Sequence, residues 1–135
     1  MAIHLPTLRN FFSVMQLAAM RCGLAGEEAG YFREKLIEFD ERIRTMPKTY
    51  EQDGKGDAAI VSLHYFLRGH DWYITERDME EEQLQAFGLA ALYGHEPELG
   101  YINITELIAH GAELDLHFTP CELGTIRAKR ARRVA

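Results

Sequence analysis

The feature that most constrains the fold is a change in the spacing of apolar residues along the chain. In the first 45 residues they recur every three or four positions, which is the period of one helix face. From residue 58 to residue 67 the chain is rich in β-branched and aromatic residues, which is typical of a strand. A polar loop with two glycines, residues 51–57, separates the two regions. The sequence therefore predicts an α+β domain.

Two helices are predicted in the N-terminal region, residues 1–46. The first covers residues 8–21, and the second begins near residue 26 and ends before Pro47. The short connection between them favours an antiparallel helical hairpin. One apolar stripe on each helix is predicted to be core, made by Leu8, Phe11, Phe12, Met15, Ala19, Phe32, Leu36, Phe39 and Ile43.

The rest of the domain, residues 47–126, is predicted to be rich in strands. We expect them over residues 58–67, 72–75, 83–92 and 99–104, with a last edge strand near 114–118. Because no long helix separates consecutive strands, antiparallel pairing is expected. The predicted architecture is an N-terminal helical hairpin packed on a mainly antiparallel sheet of about four strands, with one short C-terminal helix.

Three local signals refine this prediction. Gly88 inside the third strand indicates a bulge or a close backbone approach. Gly100 in the fourth strand is interpreted as permitting a second bulge. Thr105 is expected to cap the short helix over residues 106–110, which Gly111 would close.

Charge is distributed unevenly along the chain. The sequence has 15 Lys and Arg residues against 21 Asp and Glu residues, a net charge of −6. Five of the basic residues fall in 127–135, which leaves ten basic against 21 acidic residues in 1–126, a net charge of −11. Such a body should repel nucleic acid and favour basic partners. We interpret 1–126 as the domain and 127–135 as a basic tail, solvated and frayed, or else in contact with phosphates or the body's own acids.

The sequence carries no sign of a membrane segment, a secretory signal or a redox motif. Its apolar runs fall short of the roughly 18 residues that a membrane helix needs. The first residues lack the charge and apolar order of a signal peptide. Cys22 and Cys121 form no Cys-x-x-Cys pattern. We therefore expect a cytoplasmic protein with reduced cysteines, no membrane contact and no cofactor.

Motifs of the common enzyme classes do not occur in the sequence. It has no dinucleotide-binding glycine pattern, no phosphate-binding Walker loop, no nucleophile elbow and no His-Glu-x-x-His. The residues nearest to a metal-ligand set are spread over a strand, a turn and a loop, so we expect no metal site. They are His64, His70, Asp71, His95, Glu96 and Glu98.

Acidic residues cluster where the second strand ends. Glu76 and Asp78 close the strand, and Glu80, Glu81 and Glu82 follow. Two carboxylates can divide acid and base roles, but the sequence places no nucleophile beside these. Two interpretations stay open. The segment is a solvated turn, or it is an acidic ridge that imitates nucleic-acid phosphates in a basic groove of a partner.

Aromatic residues suggest a second contact surface. Trp72 and Tyr73 point to opposite faces of one strand because side chains alternate. One of them should be core. The other, if it is exposed beside Tyr101 on a neighbouring strand, would make an aromatic patch suited to a partner. Burial of both in the core is the alternative.

Several short segments together resemble a small bacterial family of unknown function. The pattern is Trp-Tyr-Ile-Thr-Glu at 72–76, Phe-Gly at 87–88, Glu-Leu-Gly-Tyr-Ile at 98–102 and Glu-Leu at 106–107, within residues 46–125. Members of that family occur on plasmids, phages and integrative elements, and related segments look like parts of polyvalent proteins of conjugative elements. The resemblance implies no reaction and no cofactor. It implies a mobile-element setting, in which small acidic proteins often disable host defence.

These observations together predict a non-catalytic accessory protein of a mobile genetic element. It is expected to bind a host or element protein, such as a nucleic-acid-handling complex, in the manner of an anti-CRISPR or antirestriction inhibitor. The expected contact residues are Trp72, Glu76, Asp78, Glu80, Glu81, Glu82, Glu98 and Tyr101.

Two alternatives to this function remain. One is a small enzyme or small-ligand domain whose pocket is formed by His64, Glu76, Glu98 and Tyr101. The other is a homodimer formed through the helical hairpin, which exposure of the stripe containing Phe32, Phe39 and Ile43 would favour.

Overall fold

A computed structural model describes residues 5–134. Residues 1–4 of the predicted domain and residue 135 of the predicted tail lie outside the described residues. The chain forms five helices and seven strands within the described range. The helices are α1 (Leu5–Arg9), α2 (Val14–Leu24), α3 (Ala29–Thr45), α4 (Ile104–Ala109) and α5 (Leu123–Val134). The strands are β1 (Ile60–Val61), β2 (Leu63–Leu67), β3 (His70–Glu76), β4 (Ala86–Ala91), β5 (Glu98–Ile102), β6 (Glu113–Leu114) and β7 (Cys121–Glu122).

The predicted α+β class is confirmed, with a five-stranded antiparallel sheet in the order β5-β4-β3-β2-β6. The strand predicted over residues 58–67 is interrupted at Ser62, whose N–H donates to the Ile74 carbonyl at 2.9 Å. Before this interruption, β1 leaves the main sheet and pairs with β7. Of the last predicted strand, 114–118, only Leu114 lies in a strand, as part of the short edge strand β6.

The sheet separates two hydrophobic clusters. On one face, the N-terminal helices pack against strand residues that include Leu63, Tyr65 and Ile74. On the other face, α5 packs against Tyr73 and Leu89. Because successive strand residues point to opposite faces, β3 contributes to both clusters. The fold therefore has three layers, with the sheet in the middle.

The single helix predicted over residues 8–21 is wrong, because the chain forms two helices there. The Ser13 side chain caps α2 by accepting the Gln16 N–H at 3.1 Å. The break changes the helical phase, so Met15 is 84% exposed and Ala19 is also exposed. The first part of the stripe, with Leu8, Phe11 and Phe12, is buried as predicted.

The second predicted helix is present as α3, and its apolar stripe lies in the first cluster. Leu36, Phe39 and Ile43 are buried, and Phe32 packs against the cluster while partly buried. The exposure that would have favoured a hairpin-mediated homodimer is therefore not present at these positions. The stripe holds the helices on the sheet.

The basic segment 127–134 is helical and is not a frayed tail. It continues α5, whose Leu123 and Ile126 are buried in the second cluster. Two of its arginines pair with acids of the body, as one alternative anticipated. Arg127 lies 3.1 Å from Asp57, and Arg130 lies 3.3 Å from Asp71. The boundary proposed at residue 126 therefore falls inside a helix.

Gly88 marks a close backbone approach, as predicted. A Cβ atom at Gly88 would lie 2.0 Å from the Tyr73 carbonyl oxygen. The β3–β4 register shifts between Ile74 and Glu76, next to this contact. Gly100 does not permit a bulge, since the β4–β5 register is continuous across it.

The cap of the short helix α4 differs from the prediction. Asn103 is the cap, because its side-chain oxygen accepts the Glu106 N–H at 2.9 Å. The Thr105 hydroxyl donates instead to the Glu82 carbonyl. Gly111 follows the helix with a φ of 95°, the left-handed conformation that glycine adopts most readily.

Candidate functional site

The segment between β3 and β4 forms a loop that is fixed from inside, residues 78–85, here called the acidic loop. Gln83 is its anchor, with 1% of its surface exposed. The Gln83 side chain accepts the Asp78 N–H at 2.9 Å and donates to the Glu80 carbonyl at 2.7 Å. Its own carbonyl accepts the Ile104 N–H at 3.0 Å. The loop is therefore tied both to itself and to the start of α4.

Asp78 belongs to the inner side of the acidic loop. Only 8% of its surface is exposed, and its carboxylate accepts the N–H groups of Glu80 at 3.2 Å and Gln85 at 3.1 Å. Glu76 is likewise buried, with 5% exposed. The expectation that these two acids present charge on an open ridge is therefore wrong. They hold backbone segments in place.

The outer side of the acidic loop presents charge and apolar surface together. Glu80, Glu81 and Glu82 are exposed. Met79 is 61% exposed and Leu84 is 50% exposed. Of the five acidic contacts predicted between residues 76 and 82, three are thus available to a partner, and the apolar side chains of Met79 and Leu84, which were not predicted as contacts, flank them.

His64 lies in a separate cluster under α5. Its Nε2 is 2.7 Å from Asp71 and its Nδ1 is 3.0 Å from Asp115. The ring stacks on Tyr73 at 4.7 Å between centroids. Arg130 reaches the other oxygen of Asp71. The cluster joins β2, β3, the segment after β6 and α5.

The electrostatics of this cluster favour a protonated imidazole. Burial lowers the pKa of His64, but hydrogen bonds and charge from Asp71 and Asp115 outweigh burial and raise it. Burial raises the pKa of Asp71, but His64 and Arg130 reverse the direction and lower it. Both ring nitrogens of His64 lie within hydrogen-bond distance of a carboxylate. Among the described residues, no group of His, Cys, Asp and Glu could hold a metal ion.

A cavity of about 360 Å³ lies on the α5 side of the sheet, between the loop that follows α3 and strands β3 to β5. We call it the Tyr50–Tyr101 cavity. The hydroxyl oxygens of Tyr50 and Tyr101 are 2.7 Å apart, which is within hydrogen-bond distance. Glu76, Asp53 and Phe87 also line it.

The wall of this cavity is held by Gln52 and Glu76. The Gln52 side chain donates to the Thr75 carbonyl at 2.7 Å and accepts the Ile60 N–H at 2.7 Å. The Glu76 carboxylate accepts the N–H of Tyr50, which has a φ of 77°. Such a φ is uncommon outside glycine, and these contacts stabilise it.

The pocket predicted around His64, Glu76, Glu98 and Tyr101 forms only in part. Glu76 and Tyr101 line the cavity, whereas His64 and Glu98 do not. Glu98 and Tyr101 are three residues apart on β5, so their side chains point to opposite faces of the sheet. Glu98 is exposed at the start of that strand.

The predicted aromatic patch of Trp72 beside Tyr101 does not form. Trp72 packs, partly buried, against the cluster on the N-terminal helix side. The Tyr101 ring meets Phe87 at 5.8 Å on the other side, edge to face. Tyr73 is buried, so the core takes both neighbouring aromatic residues of β3.

Sequence reasoning missed Tyr50, Gln52 and Phe87 at the cavity and Asp115 beside His64. Phe87 stands in one of the segments that carry the family resemblance, and Tyr50 lies within the residues 46–125 that the resemblance covers. Their place within the resemblance is the sequence signal that could have pointed to these two residues. Gln52 lay in a polar loop that gave no indication of burial.

Comparison with known proteins identifies one family. A family model described as a protein of unknown function (DUF2958) matches residues 34–133. The match begins inside α3, ends inside α5 and includes the acidic loop and the Tyr50–Tyr101 cavity. No curated protein and no solved structure matches the chain. None of the described helices is long and apolar enough to cross a membrane.

Proposed function

The chain belongs to the family of proteins of unknown function DUF2958, and we propose that it is a non-catalytic accessory protein that binds a basic surface of another protein. The acidic loop is the contact. The single observation that supports this proposal is that Glu80, Glu81 and Glu82 are exposed on a loop whose interior is fixed by Gln83.

A fixed loop favours binding because little conformational freedom is lost when a partner docks. The side chains of Gln83 and Asp78 already bond backbone groups of Asp78, Glu80 and Gln85, so the loop that carries the three glutamates is held before a partner docks. The flanking side chains of Met79 and Leu84 add apolar contact area. Charge for steering and apolar area for affinity are the two contributions that a specific interface combines.

The partner that suits this loop is a basic groove, such as one that holds nucleic acid. The basic helix α5 is part of the folded unit, and with it the whole chain still carries a net charge of −6, which opposes direct binding of nucleic acid. The proposal therefore extends to a nucleic-acid-handling complex of the host or of a mobile element. A role against host defence, of the anti-CRISPR or antirestriction type, is supported by the mobile-element setting that the sequence resemblance implies.

The proposal is tested by affinity capture from extract of the host cell, with the full chain immobilised. Wild-type protein should retain a basic protein at about 50 mM salt and release most of it at about 500 mM, since exposed charges are screened within a few ångströms at high salt. The variant with Glu80→Gln, Glu81→Gln and Glu82→Gln should retain much less of that protein at low salt.

The matched control removes three exposed acids elsewhere, with Glu27→Gln, Glu34→Gln and Glu41→Gln, all on or beside α3. Both triple variants change the net charge equally. If the control loses the captured protein as completely as the loop variant does, binding depends on total charge and the loop is not the contact.

A second candidate function is small-ligand binding, and one observation favours it. Glu76 and Tyr101, two of the four residues expected around a pocket, line the Tyr50–Tyr101 cavity. A concave site with a few converging polar groups is the usual form of a ligand site. Titration of the chain with small molecules, followed by amide chemical shifts, separates this candidate from loop-mediated protein binding.

A further inference from the structure

The Tyr50–Tyr101 cavity has a one-sided charge pattern. The carboxylates of Glu76 and Asp53 belong to its lining, and among the described residues that line it none carries a positive charge. The negative charge of Glu51 also contributes to raising the pKa of the Glu76 carboxyl group. Carboxylates gathered between low-dielectric walls concentrate negative potential in the space between them.

The Glu76 carboxylate is also largely removed from water. Burial raises the pKa of Glu76, Asp53 and Glu51 add to this direction, and the N–H groups of Tyr50 and Gln52 oppose it. A buried carboxylate is costly unless a positive group or hydrogen-bond donors offset the lost hydration. The N–H groups of Tyr50 and Gln52 supply part of that offset, and a cation placed in the cavity would add to it.

Aromatic rings surround this negative space. Tyr50, Phe87 and Tyr101 line the cavity, with Tyr101 and Phe87 in edge-to-face contact at 5.8 Å. Tyr50 is 59% exposed and Tyr101 is 58% exposed, so these two rings lie where the cavity opens to solvent. The electron-rich faces of such rings attract ammonium and guanidinium groups at exposed sites as well. Rings beside a buried carboxylate are therefore complementary to a positive group that carries carbon.

The volume of the cavity limits the size of such a ligand. About 360 Å³ lies at the lower end of the range for sites that hold small molecules. A positive head group with a few carbon atoms fits this size, and so does the end of an arginine or lysine side chain.

We infer that the Tyr50–Tyr101 cavity binds an organic cation, an alkylguanidinium or alkylammonium group held by Glu76 and the rings of Tyr50, Phe87 and Tyr101. The cation is either a free small molecule or the end of a side chain from another protein. The inference rests on the second candidate function, small-ligand binding at this cavity, whose ligand class it names, and it does not depend on the acidic loop. It can therefore fail while the loop contact stands, and the reverse also holds.

The test is a titration of the ¹⁵N-labelled full chain with n-butylguanidinium, followed by amide chemical shifts. The expected result is a saturable shift centred on Tyr50, Glu76, Phe87 and Tyr101. N-butylurea has a similar shape without the charge, and it should bind at least about tenfold more weakly. Equal binding of the urea, or a lack of saturable shifts at these residues, would overturn the inference.

Two variants and one control locate the binding. Tyr101→Leu removes an exposed ring and should weaken n-butylguanidinium binding about fivefold. Glu76→Gln keeps an acceptor for the Tyr50 N–H but removes the charge, and should weaken binding about tenfold. Tyr93→Leu changes a more exposed tyrosine outside the cavity and should leave the affinity unchanged. Unchanged affinity in Tyr101→Leu would refute the assignment, even if Glu76→Gln does not fold.

A parallel titration with a peptide identifies the source of the cation. A glycine pentapeptide with a central arginine is titrated alongside free n-butylguanidinium. Shifts from both ligands at the same residues support a side chain of another protein as the cation. Shifts from n-butylguanidinium alone support a free small molecule.

Discussion

Replacing His64 with phenylalanine tests whether the charged cluster under α5 stabilises the fold. The ring in His64→Phe can still stack on Tyr73, but both N–H donors are lost and the carboxylates of Asp71 and Asp115 lose their shared cation. The change therefore isolates the electrostatic part of the contact.

The expected loss follows from the two charge-assisted hydrogen bonds, at 2.7 Å and 3.0 Å. Each such bond contributes about 1.5–3 kcal/mol when it is well buried. Asp71 and Asp115 keep about a quarter of their side-chain surface exposed, so solvent screening reduces the sum. We expect the free energy of unfolding to fall by about 2 kcal/mol near pH 5.5.

The loss should also depend on pH, with a defined sign. The pKa of His64 is raised in the folded state, so its contribution is complete below the pKa of the unfolded chain, about 6.5. The contribution disappears as pH rises through the folded-state pKa. The difference between wild type and His64→Phe should therefore be larger at pH 5.5 than at pH 9.

The assay is urea unfolding followed by the fluorescence of Trp72, the single tryptophan of the chain. With a slope of about 2 kcal/mol per molar urea, the midpoint should fall by about 1 M at pH 5.5. His95→Phe, at an exposed position in the β4–β5 connection, is the control and should change the midpoint little. A difference that is absent at pH 5.5, or that grows toward pH 9, would refute the reasoning.

Two further predictions concern packing and exposure. Gly88→Ala places a Cβ atom 2.0 Å from a backbone oxygen and should cost more than about 2 kcal/mol of unfolding free energy, or prevent folding, as urea titration would show. Gly100→Ala faces open space and should cost less than about 1 kcal/mol; equal losses would contradict the steric argument. Cys22 is exposed, whereas burial raises the pKa of Cys121, so a thiol reagent should modify Cys121 at least about tenfold more slowly. Equal modification rates at the two cysteines would show that the layer formed by α5, against which Cys121 lies, opens readily.

The fold class could be predicted because local periodicity records which face of each element is buried. The stripe on α3, with Leu36, Phe39 and Ile43, repeats at helical spacing and is core. Gly88 could be interpreted from its position alone, since a glycine inside a strand indicates a nearby backbone. The break before α2 was missed because Met15 and Ala19 fit the same spacing, although Ser13 is a good helix cap.

The missed features depend on contacts between residues distant in sequence. Contact of the basic run with acids of the body was one alternative, but the sequence gave no sign that Asp71 would be the partner of Arg130. It also gave no sign that Leu123 and Ile126 would cover the second face of the sheet. Burial of Asp78 likewise follows from the way the acidic loop folds back on its own N–H groups. A count of charges in sequence cannot distinguish such an acid from one that faces solvent.

The Tyr50–Tyr101 cavity also combines residues that could be predicted from the sequence with residues that could not. Tyr101 and Glu76 were predicted to share a pocket, and they do, because both end up on the α5 side of the sheet. Glu98 was predicted to share this pocket, but strand alternation places its side chain on the face of the sheet opposite to Tyr101. Tyr50 lies at the cavity in a loop where its own φ is positive, and no simple sequence signal predicts a positive φ at a tyrosine.

The contact made by the acidic loop is the central claim, and site-specific photocrosslinking tests it most directly. A photoreactive residue at Leu84, inside the exposed part of the loop, should yield one covalent adduct with a basic protein in host-cell extract. The adduct should disappear when Glu80, Glu81 and Glu82 are replaced by glutamine. The same probe at Tyr31, exposed on α3, should yield no such adduct. An adduct from Tyr31 alone, or one from Leu84 that survives loss of the three glutamates, would contradict the account.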